Sequence, residues 1–478
     1  MPHQNDALRQ NDDDGHSSEP ASVPVARVPP EILCDIFGYF TSRDSLDEYR
    51  ELANLRKADL LRLARVCSHW HTLVMGTPAL WSEIEVTSSY WSWKSQTRCI
   101  RALKACLDRS VEHPLALRLN LGGTDSNLLR PLIKNLADHS ERWQCLSLSI
   151  EPNKAELLRL VKGKLGTLQE LSLQFVYGNY DVDIQDRIDI FENAPKLRHV
   201  LLYSLPNRHF LRLPLKQLSS FTFQDNGTKG FLDVMRNLSA PGATFKFQHT
   251  WPRNALCQFP LALTTSGISA FIVELASASI PQRLVELLGA VLDSLIFTNL
   301  HTLDVLRKGP GFPPTFWPVD QFEALARRSA FQNTLRSLDL LAVCITQDEL
   351  LRSLAALGSL ESLSIADHPI IRSQQCALLT DALLSQLTWS PDGADSHSRA
   401  HLVPRLNRLH CDALFRFTPQ VYRDFIASRI AAGAGGAPFE NSLFRMRDAS
   451  SEVADRVIGE LKPMVRERTL RLEYSSET

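Results

Sequence analysis

The sequence predicts an α/β protein in two parts: a three-helix module near the N-terminus, followed by an irregular array of parallel strands backed by helices. Two observations carry this prediction. Apolar residues near the N-terminus recur at helical spacing, and from Leu115 onwards they recur at the alternate positions of strands. The chain has 478 residues, which is long enough for several domains or for one repeat array.

The composition is that of an ordinary globular protein. Apolar residues make up 44% of the chain and charged residues 22%, so a disordered chain is excluded. The net charge is -1, which gives no global attraction to nucleic acid or to an anionic membrane. Residues 254–273 carry no charge, but Pro260 and Gly267 argue against a membrane-spanning helix. Nine cysteines without a CxxC pair predict reduced thiols in an intracellular protein, cytoplasmic or nuclear.

The first helix is predicted to begin at Pro30, because proline suits the first helical turn. Residues 1–26, which precede it, are polar and acidic and predict a disordered leader. Apolar side chains of the helix recur within one face. They are Ile32, Leu33, Ile36, Phe37 and Phe40.

A second helix is predicted over residues 60–74, after the charged residues 41–57. Gly76 and Pro78 end it, and Leu80 and Trp81 mark a short third element.

Three motifs in this segment resemble the F-box, a family of three-helix modules. They are Val28-Pro29-Pro30-Glu31-Ile32-Leu33, Val66-Cys67-x-x-Trp70 and Thr77-Pro78-x-Leu80-Trp81, in that order. Val28 stands where the family usually has Leu, and residues 41–57 are longer than is common. The resemblance implies that residues 27–86 bind a Skp-type adaptor, which bridges to a cullin.

Positions in the F-box motif also imply which side chains face the adaptor. The expected adaptor-binding residues are Val28, Pro29, Pro30, Leu33, Val66, Cys67 and Trp70. Internal packing of the three helices is expected for Ile36, Phe37, Leu63, Leu80 and Trp81, and it is an equal alternative for Trp70.

Beyond the F-box, residues 87–142 are expected to form a linker helix and the first strand-helix units. Leu115, Leu117, Leu119 and Leu121 alternate as in a strand, and residues 127–137 look helical.

Residues 143–478 then repeat the pattern apolar-x-x-apolar-x-apolar. It occurs as Trp143/Leu146/Leu148, Leu168/Leu171/Leu173, Leu197/Val200/Leu202, Leu218/Phe221/Phe223, Leu300/Leu303/Val305, Leu335/Leu338/Leu340, Leu360/Leu363/Ile365 and Leu406/Leu409/Cys411, and less well as Ile268/Phe271/Val273. The array resembles an irregular leucine-rich-repeat solenoid, although the Asn that normally follows the last Leu is missing. The alternative is an ordinary α/β domain with Leu-rich strands.

The C-terminal part of the array is expected to end in a cap. Residues 451–461 predict a last helix, and Leu470, Leu472 and Tyr474 alternate as a closing strand. Two interruptions, residues 390–400 and 431–438, predict surface loops, and the second lacks the Lys-Ser/Thr of a phosphate-binding loop.

No catalytic or metal-binding motif stands out, so the chain is expected to be no enzyme and to need no cofactor or metal. Cys67 and His71 are spaced to meet on a helix, but two ligands do not make a metal site. His410 and Cys411 are adjacent on a strand and would face opposite sides, which prevents a catalytic dyad.

The function predicted from these features is that of a non-catalytic substrate receptor in a cullin-type (SCF) ubiquitin ligase, with the repeat region holding a target protein. The alternative is an F-box-containing interaction scaffold acting outside a ligase. Neither nucleic acid, a membrane nor a homo-oligomer is required.

The predicted target-binding positions are the polar residues between the apolar strand positions, which would line a concave surface. They are Ser147, Ser149, Ser172, Gln174, Tyr203, Thr222, Gln224, Asp304, Asp339, Ser364 and His410. None is Arg or Lys, so an unmodified or basic target is expected rather than a phosphorylated one.

Overall fold

A computed structural model gives the structure of most of the chain. It describes residues 28–41, 58–87, 93–176, 188–203, 211–225, 230–249, 263–275, 281–307, 315–341, 343–367, 378–389, 402–413, 417–431, 441–446, 459 and 470–474. The predicted leader (1–26), the loop at 390–400, most of the loop at 431–438 and nearly all of the predicted helix at 451–461 lie outside these residues.

The described residues form the following α-helices: α1 (Pro30–Thr41), α2 (Ala58–Leu63), α3 (Ser68–Gly76), α4 (Ala79–Ser82), α5 (Trp93–Arg109), α6 (Ser126–Ala137), α7 (Gly230–Asn237), α8 (Pro281–Asp293), α9 (Val319–Arg328), α10 (Phe331–Thr334), α11 (Gln347–Ala355), α12 (Asp381–Leu387) and α13 (Pro419–Ala431). A ten-residue 3₁₀ helix, Pro152–Val161, takes the place of an α-helix in one unit. Over the described residues, no helix combines the length and the apolar character that crossing a membrane requires.

The strands are β1 (Glu83–Thr87), β2 (Leu115–Asn120), β3 (Trp143–Ile150), β4 (Glu170–Phe175), β5 (His199–Tyr203), β6 (Ser220–Asp225), β7 (Ala243–His249), β8 (Leu263–Thr265), β9 (Ile268–Leu275), β10 (Leu295–Phe297), β11 (Thr302–Arg307), β12 (Thr315–Phe316), β13 (Ser337–Leu340), β14 (Val343–Cys344), β15 (Ser362–Ala366), β16 (Arg408–Ala413), β17 (Asn441–Met446) and β18 (Leu470–Tyr474). Fourteen of them form one parallel sheet in the order β1-β2-β3-β4-β5-β6-β7-β9-β11-β13-β15-β16-β17-β18. The short pairs β8–β10 and β12–β14 lie outside it. A sheet whose strands follow chain order in one direction is compatible with a repeat solenoid.

The second helix of the N-terminal module differs from the prediction. Residues 60–74 form two helices, α2 and α3, joined by a tight turn in which Arg65 and Val66 donate to carbonyls three residues back, at 3.0 and 3.1 Å. Cys67 is extended there, and its Sγ accepts the Trp70 backbone N–H at 3.5 Å as the N-cap of α3. Leu60, which precedes the turn, and Val74, which follows it, are both buried. The apolar spacing across the turn therefore predicts one continuous helix.

Every unit of the predicted repeat pattern coincides with a strand of the main sheet, including the poorer match at β9. The sheet also contains β7, which the pattern does not predict because Gly242 occupies the first apolar position. The closing strand β18 is present and pairs with β17, a strand that was not predicted.

One face of the sheet forms the core. A single cluster of buried side chains runs from Leu33 in α1 to Ile426 in α13. In its middle, aromatic rings of neighbouring strands stack: the ring centroids of Phe221 and Phe245 are 5.7 Å apart, and those of Phe245 and Phe271 are 6.2 Å apart. Each unit therefore completes the core of its neighbour, as a repeat array requires.

Three arginines join successive units by binding carbonyls of the preceding one. Arg142 donates to Ser110 and His113, Arg328 to Leu292 and Leu295, and Arg429 to Leu387. Of these acceptors, Ser110, Leu292 and Leu387 lie at or directly after the end of a helix, where carbonyl groups lack an intrahelical partner. The guanidinium groups thus satisfy helix ends that packing removes from water.

The N-terminal module is continuous with the sheet. Helix α4 leads directly into β1, which pairs in parallel with β2. Trp81 is 1% exposed, its indole N–H donates to the Val74 carbonyl at 2.7 Å, and the Arg109 guanidinium of α5 lies 4.6 Å from its ring centroid. The module therefore leads directly into the first edge strand of the sheet.

Candidate functional site

Exposed apolar side chains are concentrated in the N-terminal module. Of the eight large hydrophobic residues exposed in the described part of the chain, five lie between residues 28 and 87. They are Ile32 (48% exposed), Ile36 (42%), Tyr39 (81%), Leu61 (40%) and Val66 (61%), and they are called here the exposed apolar set. Ile32, Ile36 and Tyr39 lie on one side of α1, because residues three and four apart share a helix face.

The structure divides the predicted adaptor-binding residues. Pro29, Pro30, Val66 and Cys67 are exposed, and Val28 and Trp70 are half-buried. Leu33 corrects the prediction: it is 3% exposed and belongs to the core cluster.

Ile36, for which internal packing was expected, lies at the surface instead. The reason is the phase of α1, since Leu33 and Phe37 point inward and Ile32 and Ile36 point outward. Helical spacing shows that a helix has an apolar stripe, but a broad stripe does not show which edge is buried.

Trp70 has a packing role in the module. Its ring meets the Phe37 ring edge to face, with centroids 4.8 Å apart and an interplanar angle of 62°. This contact joins α1, which contains Phe37, to α3, which contains Trp70. Thr77 adds a polar link between the same helices, since its Oγ1 lies 3.3 Å from Cys34 Sγ and donates to the Leu73 carbonyl at 2.7 Å.

Comparison with known proteins identifies this module. Residues 25–87 match the family model described as F-box-like. The chain therefore carries an F-box-like domain, formed by α1 to α4 together with β1. No curated protein matches the chain.

The predicted target-binding residues all lie on one face of the main sheet, opposite the buried apolar face. The strands are in register, so that Ser147 lies beside Ser172, and Asp304, Asp339, Ser364 and His410 lie side by side on four neighbouring strands. This face, formed by the side chains of the main-sheet strands from β1 to β16 that alternate with the core residues, is called here the polar face.

A cavity of about 280 Å³ opens on the polar face at the end next to the F-box-like domain. Of the predicted residues, it is lined by Ser147, Ser149, Ser172, Gln174 and Tyr203. Its further polar lining residues, not among those predicted, are Glu85, Thr87, Arg118 and Asn120. The alternation of leucines in β2 already indicated that Arg118 and Asn120 face away from the core.

Two cations on the polar face are held by glutamates. Arg118 Nη2 lies 3.5 Å from Glu83 Oε1, and Lys246 Nζ lies 2.5 Å from Glu274 Oε2. The Gln248 amide donates to the same Glu274 oxygen at 2.6 Å. The face therefore contains Lys and Arg, but these two are already in ion pairs.

Asp304 and Asp339 form an unusual acidic pair on the polar face. They are register partners on β11 and β13. Burial, reinforced by the nearby Asp339, raises the pKa of Asp304 to about 6. Burial also raises the pKa of Asp339, although the Leu341 backbone N–H donates to it at 3.0 Å.

The arrangement of cysteines and histidines does not assemble a reactive site among the described residues. Cys67 lies before α3, as its N-cap, and is exposed. Cys411 is buried, which raises its pKa well above the ordinary thiol value, and His410 lies on the opposite, polar face. Within the described ranges, no group of three or more potential metal ligands is present.

Proposed function

We propose that this protein is a non-catalytic substrate receptor of a cullin-type ubiquitin ligase. Its F-box-like domain binds a Skp-type adaptor, and the parallel sheet, a leucine-rich-repeat-like array, binds a target protein. The chain performs no bond chemistry itself. It acts inside the cell by holding the target close to a conjugating enzyme, which raises the effective concentration of target lysines.

The exposed apolar set is the observation that carries the adaptor half of this proposal. F-box domains generally bind Skp-type adaptors, and residues 25–87 match that family. Exposed apolar side chains concentrated in one small domain favour a protein-protein contact there, since they are costly to leave in water. Val66 belongs to both the exposed apolar set and the predicted adaptor-binding residues.

The junction between the two parts supports the receptor half. Because α4 runs directly into β1 and Trp81 is buried between the module and α5, the F-box-like domain has no flexible linker to the sheet. A target held by the sheet then keeps a fixed orientation to the adaptor, as transfer by proximity requires.

Adaptor capture by the purified full chain tests the proposal. The double variant Ile36→Glu with Val66→Glu places charges in the exposed apolar set and should weaken capture of a Skp-type adaptor at least about tenfold. The matched control is Val111→Glu with Leu160→Glu, which alters two exposed apolar residues outside the F-box-like domain. Equal capture by the wild type and the folded Ile36/Val66 variant contradicts the proposal.

A second measurement separates the receptor from an F-box scaffold that acts outside a ligase. The complex is isolated from cells and examined for a cullin and for ubiquitinated proteins that depend on the chain. For a receptor, both the cullin and the ubiquitinated proteins should be found in the isolated complex. Adaptor without cullin identifies the scaffold function instead.

A further inference from the structure

The polar face carries more acidic than basic side chains. Strands β1 to β16 place seven carboxylates on it: Glu83, Glu85 and Glu170 at one end, Glu274 in the middle, and Asp304, Asp339 and Asp412 at the other. Against them stand three Lys and Arg residues, Arg118, Lys246 and Arg408. The whole chain has a net charge of only -1, so the acidity is a property of this face.

Two of the three cations are already neutralised within the face. Arg118 contacts Glu83, and Lys246 contacts Glu274 at 2.5 Å. An anionic partner would have to compete with these glutamates, whereas a cationic partner meets Asp304 and Asp339 outside these two ion pairs. Charge complementarity therefore favours a basic partner.

Asp304 and Asp339 are the strongest point of this complementarity. Neighbouring strands lie about 4.8 Å apart, and like charges directly opposite each other are destabilising. Within the described residues, no Lys or Arg forms an ion pair with either carboxylate. A lysine or arginine from a partner would relieve this repulsion.

The cavity at the other end of the face differs in character. Its charged lining residues are Glu85 and Arg118, which are register partners, and the remaining polar lining residues are uncharged hydroxyl and amide side chains. Such a lining hydrogen-bonds to backbone and to uncharged polar side chains. From β3, in the middle of the cavity, to β11 the sheet advances six strands, which is about 29 Å, or about nine residues of extended chain.

We propose that the polar face binds an extended basic segment of the target protein, with uncharged polar residues in the cavity and a lysine or arginine about nine residues away over Asp304 and Asp339. This inference rests on the receptor function proposed above and specifies the chemistry of the target. A phosphorylated or acidic segment is the competing possibility that the experiment addresses.

Fluorescence anisotropy with defined peptides tests the inference on the full chain, measured both alone and with a Skp-type adaptor. The probes are Ser/Gln peptides of about fifteen residues, longer than the estimated span, with a pair of lysines at either the N- or the C-terminal end. The comparison probes carry glutamates, or phosphoserines, in place of the lysines. At least one lysine peptide should bind at least about tenfold more tightly than its acidic counterparts.

Two variants locate the binding on the polar face. Asp304→Asn with Asp339→Asn should weaken binding of the lysine peptide about tenfold. Its control, Glu286→Gln with Asp348→Asn, removes the same charge from exposed positions on α8 and α11 and should leave binding unchanged. Ser147→Tyr, which fills the cavity from an exposed position, should also weaken binding, whereas Thr264→Tyr on β8 should not.

The outcomes separate this inference from the receptor function. Preference for the acidic or phosphorylated peptide, or equal lysine-peptide binding by the Asp304/Asp339 variant and its control, overturns the inference. Adaptor capture without any binding of the lysine peptides also overturns it and leaves the receptor function standing. Lysine-peptide binding without adaptor capture supports the inference while the receptor function fails.

Discussion

On the polar face, ionisation of the Asp304 carboxyl is unfavourable in the folded protein. Asp339 faces Asp304 from β13 and Ile272 from β9, while Lys246 lies one strand beyond Ile272 and is paired with Glu274. Burial and Asp339 raise the pKa of Asp304 to about 6, whereas the same carboxyl in the unfolded chain titrates near pH 4. Folding is therefore opposed by this ionisation once the pH is high enough to remove the proton.

The pH dependence of stability follows from that shift. Because the folded state holds the Asp304 proton more tightly, stability falls as the pH rises from about 4 to about 6 and stays lower above it. Asp304→Asn should therefore match the wild type near pH 4 and exceed it at neutral pH by up to about 1 kcal/mol, since partial exposure screens the charge. Thermal unfolding at several pH values measures this. A difference that does not change with pH contradicts it.

Arg429 is a residue whose loss should be felt across two units. It is 4% exposed, and its guanidinium donates to the Val403 carbonyl at 2.9 Å and to the Leu387 carbonyl at 3.0 Å. Arg429→Met leaves these acceptors buried without this donor and should lower stability by about 3 kcal/mol. Denaturant unfolding measures the loss, with the exposed Arg405→Met as control. A loss no larger than that of the control contradicts the capping role.

At the scale of one element, the cap of α3 decides between two interpretations of Cys67. A thiol buried on an apolar face would lose stability on replacement by serine. An exposed N-cap should gain or keep it, because serine is a better capping residue than most. Cys67→Ser is therefore expected to raise stability by about 0.5 kcal/mol, and Cys67→Leu to lower it by about 1 kcal/mol. Thermal unfolding of the two variants measures this, and destabilisation by serine contradicts the cap.

Elements were predictable from the sequence where one period ran without interruption. The alternation in β2 and the repeated pattern from β3 to β16 predict strands because burial of every second residue leaves a direct trace in the sequence. Strand β7 is not predicted because Gly242 occupies the first apolar position of its pattern. Helices α2 and α3 are predicted as one helix because the four-residue turn between them keeps the apolar side chains in phase. Tertiary packing decides such points, and it also decides which edge of α1 is exposed.

For the site, the sequence predicts which residues lie on the polar face but not how they are arranged there. Alternation alone assigns Ser147, Tyr203 and Asp304 to the polar face, since strand geometry determines which side a residue faces. It does not show that the first five strands enclose a cavity, or that Lys246 is held by Glu274. Those features depend on the register between strands distant in the sequence.

The F-box-like domain and the first strands of the sheet are expected to unfold together as one unit. One core cluster joins Phe37 and Trp81 to Ile84 and Leu117. Trp81→Ala removes a side chain that is 1% exposed, and it should destabilise the protein by about 3 to 5 kcal/mol.

Hydrogen exchange shows where that loss is felt. Protection should fall together in α1 to α4 and in β1 to β3, because the cavity left by Trp81 lies between the module and α5. The control Tyr39→Ala alters a residue that is 81% exposed and should leave exchange unchanged. If Trp81→Ala unfolds the module while β1 to β3 keep their full protection, the two parts unfold independently. That result would contradict the fixed orientation between adaptor and target on which the proposed receptor function relies.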